Sequence, residues 1–150
     1  ELRVFVHAVR QLRGVVAGDR RRPLHEPLAV HLHDVAGGGV GGFGGAIVRY
    51  VAGQFVAGPA GTMVVNTVGS FALGVLVYEA VHLGRLSSAA RLTATTGFLS
   101  SFTTYSTFAV ETAGLAPAWA LANVAGSYAL GLAGVLAGRT LVRRTDRRGE

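Results

Sequence analysis

Apolar residues fill four long stretches of this chain, separated by short polar or glycine- and proline-containing connections. A helix needs about 20 mostly apolar residues to cross the hydrocarbon of a bilayer. Four segments have this character, at roughly residues 35–56, 62–83, 91–115 and 118–138. Pro59 and Pro117 precede the second and fourth segments, where proline suits a helix start because its missing N–H is not needed there. The pattern predicts an all-α membrane protein with four transmembrane helices.

The composition agrees with a protein embedded in lipid. The 150 residues are 50% hydrophobic and 15% charged, whereas soluble domains carry about 25% charge. The absence of cysteine excludes disulfides, thiol catalysis and cysteine-ligated metals. The sequence contains no nucleophile–base pair, metal cluster or phosphate-binding loop, so we do not expect an enzyme.

The arginines predict how the helices are oriented. The second connection carries Arg85 and Arg91, the first and third connections carry none, and five arginines follow the fourth segment. The positive-inside rule places the arginine-rich side in the cytoplasm, so both termini are predicted to be cytoplasmic. This distribution explains the formal charge of +6 better than nucleic-acid binding does. We predict a basic N-terminal extension, poorly ordered or interfacial, at 1–33, the transmembrane domain at 34–138, and an arginine-rich tail at 139–150.

Small and polar residues recur every four positions on three of the predicted helices. Gly37, Gly41 and Gly45 are followed on the same face by Arg49. The glycines favour close helix packing, whereas Arg49 either reaches the far interface or attracts anions. The second helix has the stripe Thr62, Asn66, Ser70, Gly74, and the fourth has Asn123, Ser127, Gly131.

Two interpretations of Asn66 remain open. A carboxamide within an apolar helix needs a partner, so Asn66 either makes a helix–helix hydrogen bond or presents its donor to a polar pathway. The fourth-helix stripe has the same two interpretations. Glu79 and His82 lie near the predicted cytoplasmic end of the second helix, where we expect them to be interfacial.

The third segment contains the most unusual stretch, "GFLSSFTTYSTF", which places seven hydroxyl side chains in twelve residues. Its glycine, its β-branched threonines and its hydroxyls all weaken a helix. We expect a break near the middle of the membrane, where the freed carbonyls line a cavity or bind an ion. The alternative is a continuous helix whose hydroxyls bond back to their own carbonyls. In either case Tyr105 and Phe108 are three residues apart, so their rings are neighbours.

Hydroxyls, amides and the edges of aromatic rings all present partial positive charge. A pathway lined by such groups suits a small anion, because it replaces hydration water without holding the ion too tightly to leave.

Three segments together resemble the small fluoride channels of the CrcB/Fluc family: "GGFGGAIVRY", "GTMVVNTVGSFALG" and "GFLSSFTTYSTFAVE". The resemblance covers roughly residues 37–138, in order and with family-like spacing. It implies a multi-pass protein of the cell membrane that forms an antiparallel, dual-topology dimer with two fluoride pores. Passive efflux of fluoride from the cytoplasm would then lower fluoride toxicity. The third helix would be broken near mid-membrane.

The resemblance also implies roles for individual residues. Asn66 would line the fluoride pathway, the rings of Tyr105 and Phe108 would form an aromatic box, and Ser106 and Thr107 would form a polar track. Ser127, and with it Asn123, would continue this track on the fourth helix.

Further roles follow from the same resemblance. Arg49 would line a vestibule, and Glu111 would have a gating or structural role. A structural Na⁺ at the dimer interface would be held by the backbone carbonyls of Ser100 and Thr103. Tyr105 stands where phenylalanine is commoner, and Ser100 where glycine is commoner.

Two alternatives remain. The strong arginine bias predicts a fixed orientation, and hence a hetero-dimer with an oppositely inserted paralogue in place of a homodimer. The chain could then be an obligate partner or a non-conducting subunit. The second alternative is a small four-helix cation or drug antiporter, which needs a carboxylate inside the membrane. Asp34 lies only at the edge of the first segment, and Glu111 is the one deeper candidate.

Overall fold

A computed structural model describes residues 28–146 of the chain, and the side-chain surroundings of residues 35–146. Most of the predicted N-terminal extension and the last four residues of the predicted tail lie outside this range. Contacts divide the chain into the units 1–31 and 32–150, and all the packing described below lies within the second unit.

Every regular element between residues 28 and 146 is helical. Helix α1 is Leu28–Phe55, and α2 is Gly58–Tyr78, extended by a π-helical turn at Glu79–Leu83. Helix α3 is Ser88–Leu92, which continues through the π-helical segment Thr93–Leu99 into α4, Ser100–Phe102. Helix α5 is Tyr105–Ala113, and α6 is Pro117–Asp146. We call Ser88–Ala113, which contains α3 to α5, the third segment.

Two of these helices are long and apolar enough to cross a membrane, namely Gly58–Leu83 and Pro117–Asp146. Their most apolar windows have mean hydropathies of 1.7 and 1.5, yet only 28% and 6% of those windows is buried. The core helices of a soluble protein are buried, so these exposed apolar surfaces call for lipid or a partner chain. Glycines and Arg49 lower the hydropathy of α1, and the third segment is divided into shorter helices. For α1 and the third segment, the prediction that they span the membrane therefore rests on the sequence pattern.

Glycines set the distance between helices in both close pairs. A methyl group at Gly41 or Gly45 would overlap the backbone carbonyl oxygen of Thr93 or Phe98, so α1 lies directly against the third segment. A methyl group at Gly138 would likewise overlap the carbonyl of Phe71, where α6 packs on α2. The predicted packing role of the first-helix glycines is confirmed.

The third segment is interrupted at Thr103 and Thr104, as its hydroxyl-rich sequence predicts. Both residues have extended backbone, with φ/ψ of −80°/157° and −146°/124°, a conformation that suits a β-branched residue. The hydroxyls also bond back to their own helix. The Oγ1 of Thr103 donates to Leu99 O at 2.8 Å, and the Oγ of Ser100 donates to Thr96 O. The two interpretations of this stretch are therefore both realised, on adjacent turns.

Candidate functional site

The side chain of Asn66 on α2 holds the break of the third segment. Its Nδ2 donates to the carbonyl oxygen of Thr104 at 2.9 Å, and its Oδ1 accepts from the backbone N–H of Thr104 at 2.8 Å. One neutral side chain therefore satisfies both backbone groups of a residue outside any helix, as a neighbouring β-strand would. Asn66 makes the inter-segment hydrogen bond that was one of its two interpretations.

Two clefts meet at this break. The first has a volume of about 410 Å³, and we call it the hydroxyl cleft; its lining includes Asn66, Ser70, Thr95, Ser100, Thr103, Thr104 and Tyr105. The second has a volume of about 370 Å³, and we call it the arginine cleft; its lining includes Arg49, Tyr50, Gln54, Thr62, Thr104, Thr107 and Glu111. Thr104 lines both clefts. The predicted stripe of α2 runs through both, with Thr62 in one and Asn66 and Ser70 in the other. Asn66 therefore also lines a cleft that contains several hydroxyl groups, so its two interpretations are compatible.

The arginine cleft contains opposite charges. Arg49 is half-buried within it, and Glu111 faces the same space from α5. The Oε2 atom of Glu111 is buried and has no hydrogen-bond partner. A buried carboxylate oxygen without a donor is costly. Arg49 therefore lines a cleft that also holds a carboxylate, and both interpretations of Arg49 stay open.

The hydroxyls at the start of α5 form a cluster around Thr104. The Oγ1 of Thr104 donates to Thr107 Oγ1 at 3.0 Å and accepts from the backbone N–H of Thr107 at 3.2 Å, which caps α5. The Oγ of Ser106 lies 3.4 Å from the same oxygen. The O–H of Thr104 is used in this cluster, so the hydroxyl of Thr107, which lines the arginine cleft, is the one that keeps its donor free.

The two aromatic rings of the third segment are neighbours, as their spacing predicts. The ring centroids of Tyr105 and Phe108 are 5.9 Å apart at an angle of 44°. Tyr105 lines the hydroxyl cleft and is 74% exposed. Phe108 is half-buried and is not part of the lining of either cleft. Such an exposed tyrosine beside a polar cleft provides a surface that a partner chain can cover.

The two fourth-helix residues lie away from both clefts. The Nδ2 of Asn123 donates to Thr112 Oγ1 at 2.8 Å, and this hydroxyl donates to the carbonyl of Phe108 at 2.6 Å. Asn123 thus ties α6 to α5. The Oγ of Ser127 is buried and has no hydrogen-bond partner. Among the described residues, neither Asn123 nor Ser127 hydrogen-bonds to Asn66 or lines a cleft with it.

The carbonyls of Ser100 and Thr103 have lost their usual helical donors. In a continuous helix the N–H of Thr104 would bond to Ser100 O, but here it donates to Asn66. The N–H of Thr107 would bond to Thr103 O, but it donates to Thr104 Oγ1. Between residues 28 and 146, no backbone N–H outside the helices donates to either carbonyl. Free carbonyl oxygens are the ligands that a hard cation such as Na⁺ prefers, so these residues fit the implied ion.

Sequence reasoning missed several members of the site. Tyr50 and Gln54 line the arginine cleft, and Thr95 lines the hydroxyl cleft from a π-helical turn. Tyr50 and Gln54 are four residues apart, so they share a face next to Arg49, and this spacing could have indicated them as a pair. Thr95 could not have been found in this way, because a π-helical turn shifts the register of the face.

These observations define an all-helical protein whose apolar helices suit a membrane and whose polar groups gather at one helix break. The sequence model described as "CrcB-like protein, Camphor Resistance (CrcB)" matches residues 37–139. The chain belongs to the CrcB family, and it is a membrane protein.

Similar proteins carry channel names. The chain is 64% identical over 105 residues to "Fluoride-specific ion channel FluC 1" of Haloarcula marismortui, which covers 70% of this chain and 82% of that protein. It is 54% identical over 125 residues to "Fluoride-specific ion channel FluC 2" of Halobacterium salinarum, which covers 81% and 98%. It is 50% identical over 120 residues to "Fluoride-specific ion channel FluC 1" of Natronomonas pharaonis, which covers 79% and 97%.

Proposed function

We propose that this protein is a fluoride-selective ion channel, not an enzyme, and that it lets fluoride leave the cytoplasm passively. The observation that carries the proposal is the meeting of two polar clefts at the Asn66–Thr104 pair. The relatives named fluoride-specific ion channels, at 50–64% identity, support it.

The chemistry of the clefts suits a small anion. In the hydroxyl cleft the phenol of Tyr105 and the second Nδ2 hydrogen of Asn66 are free to donate without a full positive charge, whereas the hydroxyls of Ser70 and Thr95 already donate to Asn66 O and Arg91 O. Fluoride is strongly hydrated, so it needs several donors to replace its water, and weak ones let it leave. Arg49 raises the local anion concentration in the arginine cleft, while Glu111 on the same cleft limits how tightly an anion is held there.

We propose that two chains complete the channel, each with four spans and inserted in opposite directions. Exposed apolar side chains on α1 and α6, such as Phe43 and Trp119 at 72% and 71% exposure, support burial against lipid or a partner. The relatives of Methanosarcina barkeri named FluC 2 and FluC 3 support the existence of paralogues in one organism. The arginine bias of this chain favours a hetero-dimer with an opposite paralogue, placed in the cell membrane with its own termini in the cytoplasm.

We also propose a structural Na⁺ at the dimer centre. The carbonyls of Ser100 and Thr103 would hold it, and in doing so they would gain the partners that the break removes. When bound, the ion supplies a fixed positive charge. The residues of this chain shape its site, because Asn66 and the Thr104 hydroxyl occupy the competing N–H donors.

Fluoride efflux from liposomes tests the proposal. The purified chain, reconstituted with its oppositely inserted paralogue, should release fluoride much faster than chloride, and the same release from the chain alone would show that a homodimer suffices. Asn66→Leu should reduce this efflux strongly, and so should Phe108→Ala, because its ring is paired with that of Tyr105 in the hydroxyl cleft. Val110→Ala is the matched control, because Val110 is on α5, is 74% exposed and lines neither cleft. Efflux that appears only after addition of the paralogue would establish the obligate hetero-dimer. Absence of efflux from both preparations would overturn the function.

Cysteine accessibility tests the fixed orientation, since the native chain has no cysteine. Ala60→Cys and Thr145→Cys lie at opposite ends of the spans. In whole cells, the first should react with an impermeant maleimide from outside and the second should not. Labelling of both from both sides would show dual insertion and favour the homodimer.

A further inference from the structure

Helix α6 is longer than the hydrocarbon it has to cross. Its 30 residues extend about 45 Å, at 1.5 Å per residue, whereas the hydrocarbon core is about 30 Å thick. Counted from Pro117, the first 20 residues reach Leu136. The remaining turns therefore extend as a rigid helix into the headgroup layer.

One stripe of α6 changes from leucine to arginine at this depth. Leu132, Leu136, Arg139 and Arg143 follow helical spacing and share one face. Leu132 and Leu136 are 63% and 50% exposed, and both arginines are exposed. The face that packs on α2 contains the buried Gly134 and Gly138 instead. The arginines therefore continue the stripe that faces away from the protein interior.

The acidic residues near these arginines already have partners. Asp146 accepts a hydrogen bond from Arg85 at 3.3 Å, and Glu79 lies 3.3 Å from Arg91. Among residues 35–146, no ion pair involves Arg139, Arg143 or Arg144. This end of the molecule is therefore a cationic surface at headgroup depth.

We propose that Arg139 and Arg143 form a binding surface for the phosphate of an anionic phospholipid. Guanidinium groups bind phosphate through two parallel hydrogen bonds, and long side chains extend from an apolar stripe to the headgroups. The leucines above them contact the acyl chain of the same lipid, so polar and apolar contacts match one amphipathic molecule. A nucleic acid or an acidic protein matches the charge but offers no acyl chain for the leucines to contact.

The surface goes beyond the proposed channel activity and requires only that α6 spans a membrane. An arginine near an anionic surface strengthens binding by about fivefold. Removing both should therefore weaken binding by about 25-fold. Arg144 is the matched control, because it is exposed and adjacent in sequence but lies about 100° further around the helix.

Lipid binding to the purified full chain in detergent tests the proposal, with retention measured by native mass spectrometry. We expect phosphatidylglycerol to be retained over phosphatidylcholine, and the double variant Arg139→Gln/Arg143→Gln to lose about 25-fold in apparent affinity. The single variants Arg139→Gln and Arg143→Gln should each lose about fivefold, whereas Arg144→Gln should change the affinity by less than about twofold. Equal retention by the double variant would overturn the proposal, as would a loss in Arg144→Gln equal to that of either single variant, which would indicate net charge alone.

Two further measurements separate related explanations. Inorganic phosphate at the lipid's concentration should not displace phosphatidylglycerol; displacement would indicate a free-anion site instead. Fluoride efflux of the double variant in phosphatidylcholine vesicles should equal that of the native chain. Efflux that fails in both proteins would count against the proposed function and leave the lipid result standing.

Discussion

The helical hydrogen-bond pattern is interrupted at two places. At each of them one side chain, from α2 or from the π-helical turn that follows it, binds the backbone of the interrupted segment. At the break of the third segment, Asn66 Oδ1 accepts from the N–H of Thr104 at 2.8 Å. At the second connection, Glu79 Oε1 accepts from the N–H of Leu86 at 2.6 Å. Both side chains accept a hydrogen bond from a backbone N–H, yet one is a neutral amide and the other a carboxylate.

Their depth in the molecule explains the difference. Asn66 lies about 12 Å along α2 from its start at Gly58, where an ionised group would be expensive in a membrane. Glu79 follows the end of α2 and has Arg91 at 3.3 Å as a counter-charge. Amide chemistry also satisfies the carbonyl of Thr104, which a carboxylate could not do. A helix interruption at depth therefore needs a side chain that both donates and accepts.

Both interruptions are followed by the same capping device. Thr104 Oγ1 accepts from Thr107 N at 3.2 Å, and Ser87 Oγ accepts from Ala90 N at 3.2 Å. Only Thr104 lines the clefts. The two regions thus share local structure and differ in function, which makes matched substitutions informative.

The largest effect is expected from Asn66→Leu. This change leaves the N–H and the carbonyl of Thr104 without partners, at about 1–3 kcal/mol for each group. The break should lose its fixed geometry, and fluoride efflux should fall at least about tenfold. Asn66→Asp should also fail, because a carboxylate cannot donate to the Thr104 carbonyl.

The control for this change is Thr67→Val on the next position of α2, whose hydroxyl donates only to Met63 O in its own helix. Efflux in Asn66→Leu within twofold of the native rate would show that the carboxamide neither holds the break nor serves the pathway.

A loss of stability without loss of conduction is expected from Glu79→Ala. Leu86 N–H would lose its acceptor, at about 1.5–3 kcal/mol for a hydrogen bond to a charged group, and Arg91 would lose the counter-charge 3.3 Å away. Thermal unfolding in detergent should therefore shift to lower temperature, and Glu79→Gln should recover part of the loss because its amide oxygen still accepts. Fluoride efflux per folded protein should stay within about twofold in both. A large loss of efflux in a stable Glu79→Gln would show that this charge has a role in conduction, and the two interruptions would then not differ in function.

The sequence predicted the neutral site better than the charged one. Asn66 stands out because an amide within an apolar helix needs a partner, and the hydroxyls around Thr103 predict the break. The partner itself, the backbone of Thr104, is 38 residues away and is set by how α2 packs on the third segment. Sequence spacing along one helix carries no information about such a contact.

The interfacial position of Glu79 stays a prediction, whereas its burial within the protein, at 8% exposure, was not indicated by the sequence. The reason is the π-helical turn Glu79–Leu83 and the left-handed Gly84, φ +62°, which fold the connection back over the carboxylate. Gly84 donates to Glu79 O at 2.8 Å in that turn. Nothing in the apolar periodicity signals a π-helical turn, since it adds one residue without changing composition.

The fourth-helix residues show a further limit of sequence patterns. Asn123 and Ser127 form a polar stripe like that of Asn66, yet neither lines a cleft in this chain. Periodicity identifies residues that share a face, but it does not identify the helix or partner chain that this face meets. Their role in a fluoride pathway stays a prediction that depends on the assembled dimer.

The smallest effects on stability are expected at the two caps. They separate the capping role that both interruptions share from the role of Thr104 in the clefts. Ser87→Ala and Thr104→Val each remove one cap hydroxyl, so each should lower the free energy of unfolding by about 1 kcal/mol. Valine keeps the β-branched shape that suits the extended backbone, and the pair between Asn66 and the Thr104 backbone is untouched. Efflux should fall severalfold in Thr104→Val, because Thr104 lines both clefts, and should not change in Ser87→Ala. Equal efflux in the two variants would mean that the Thr104 hydroxyl is only a cap, and that the pathway depends on the amide beside it.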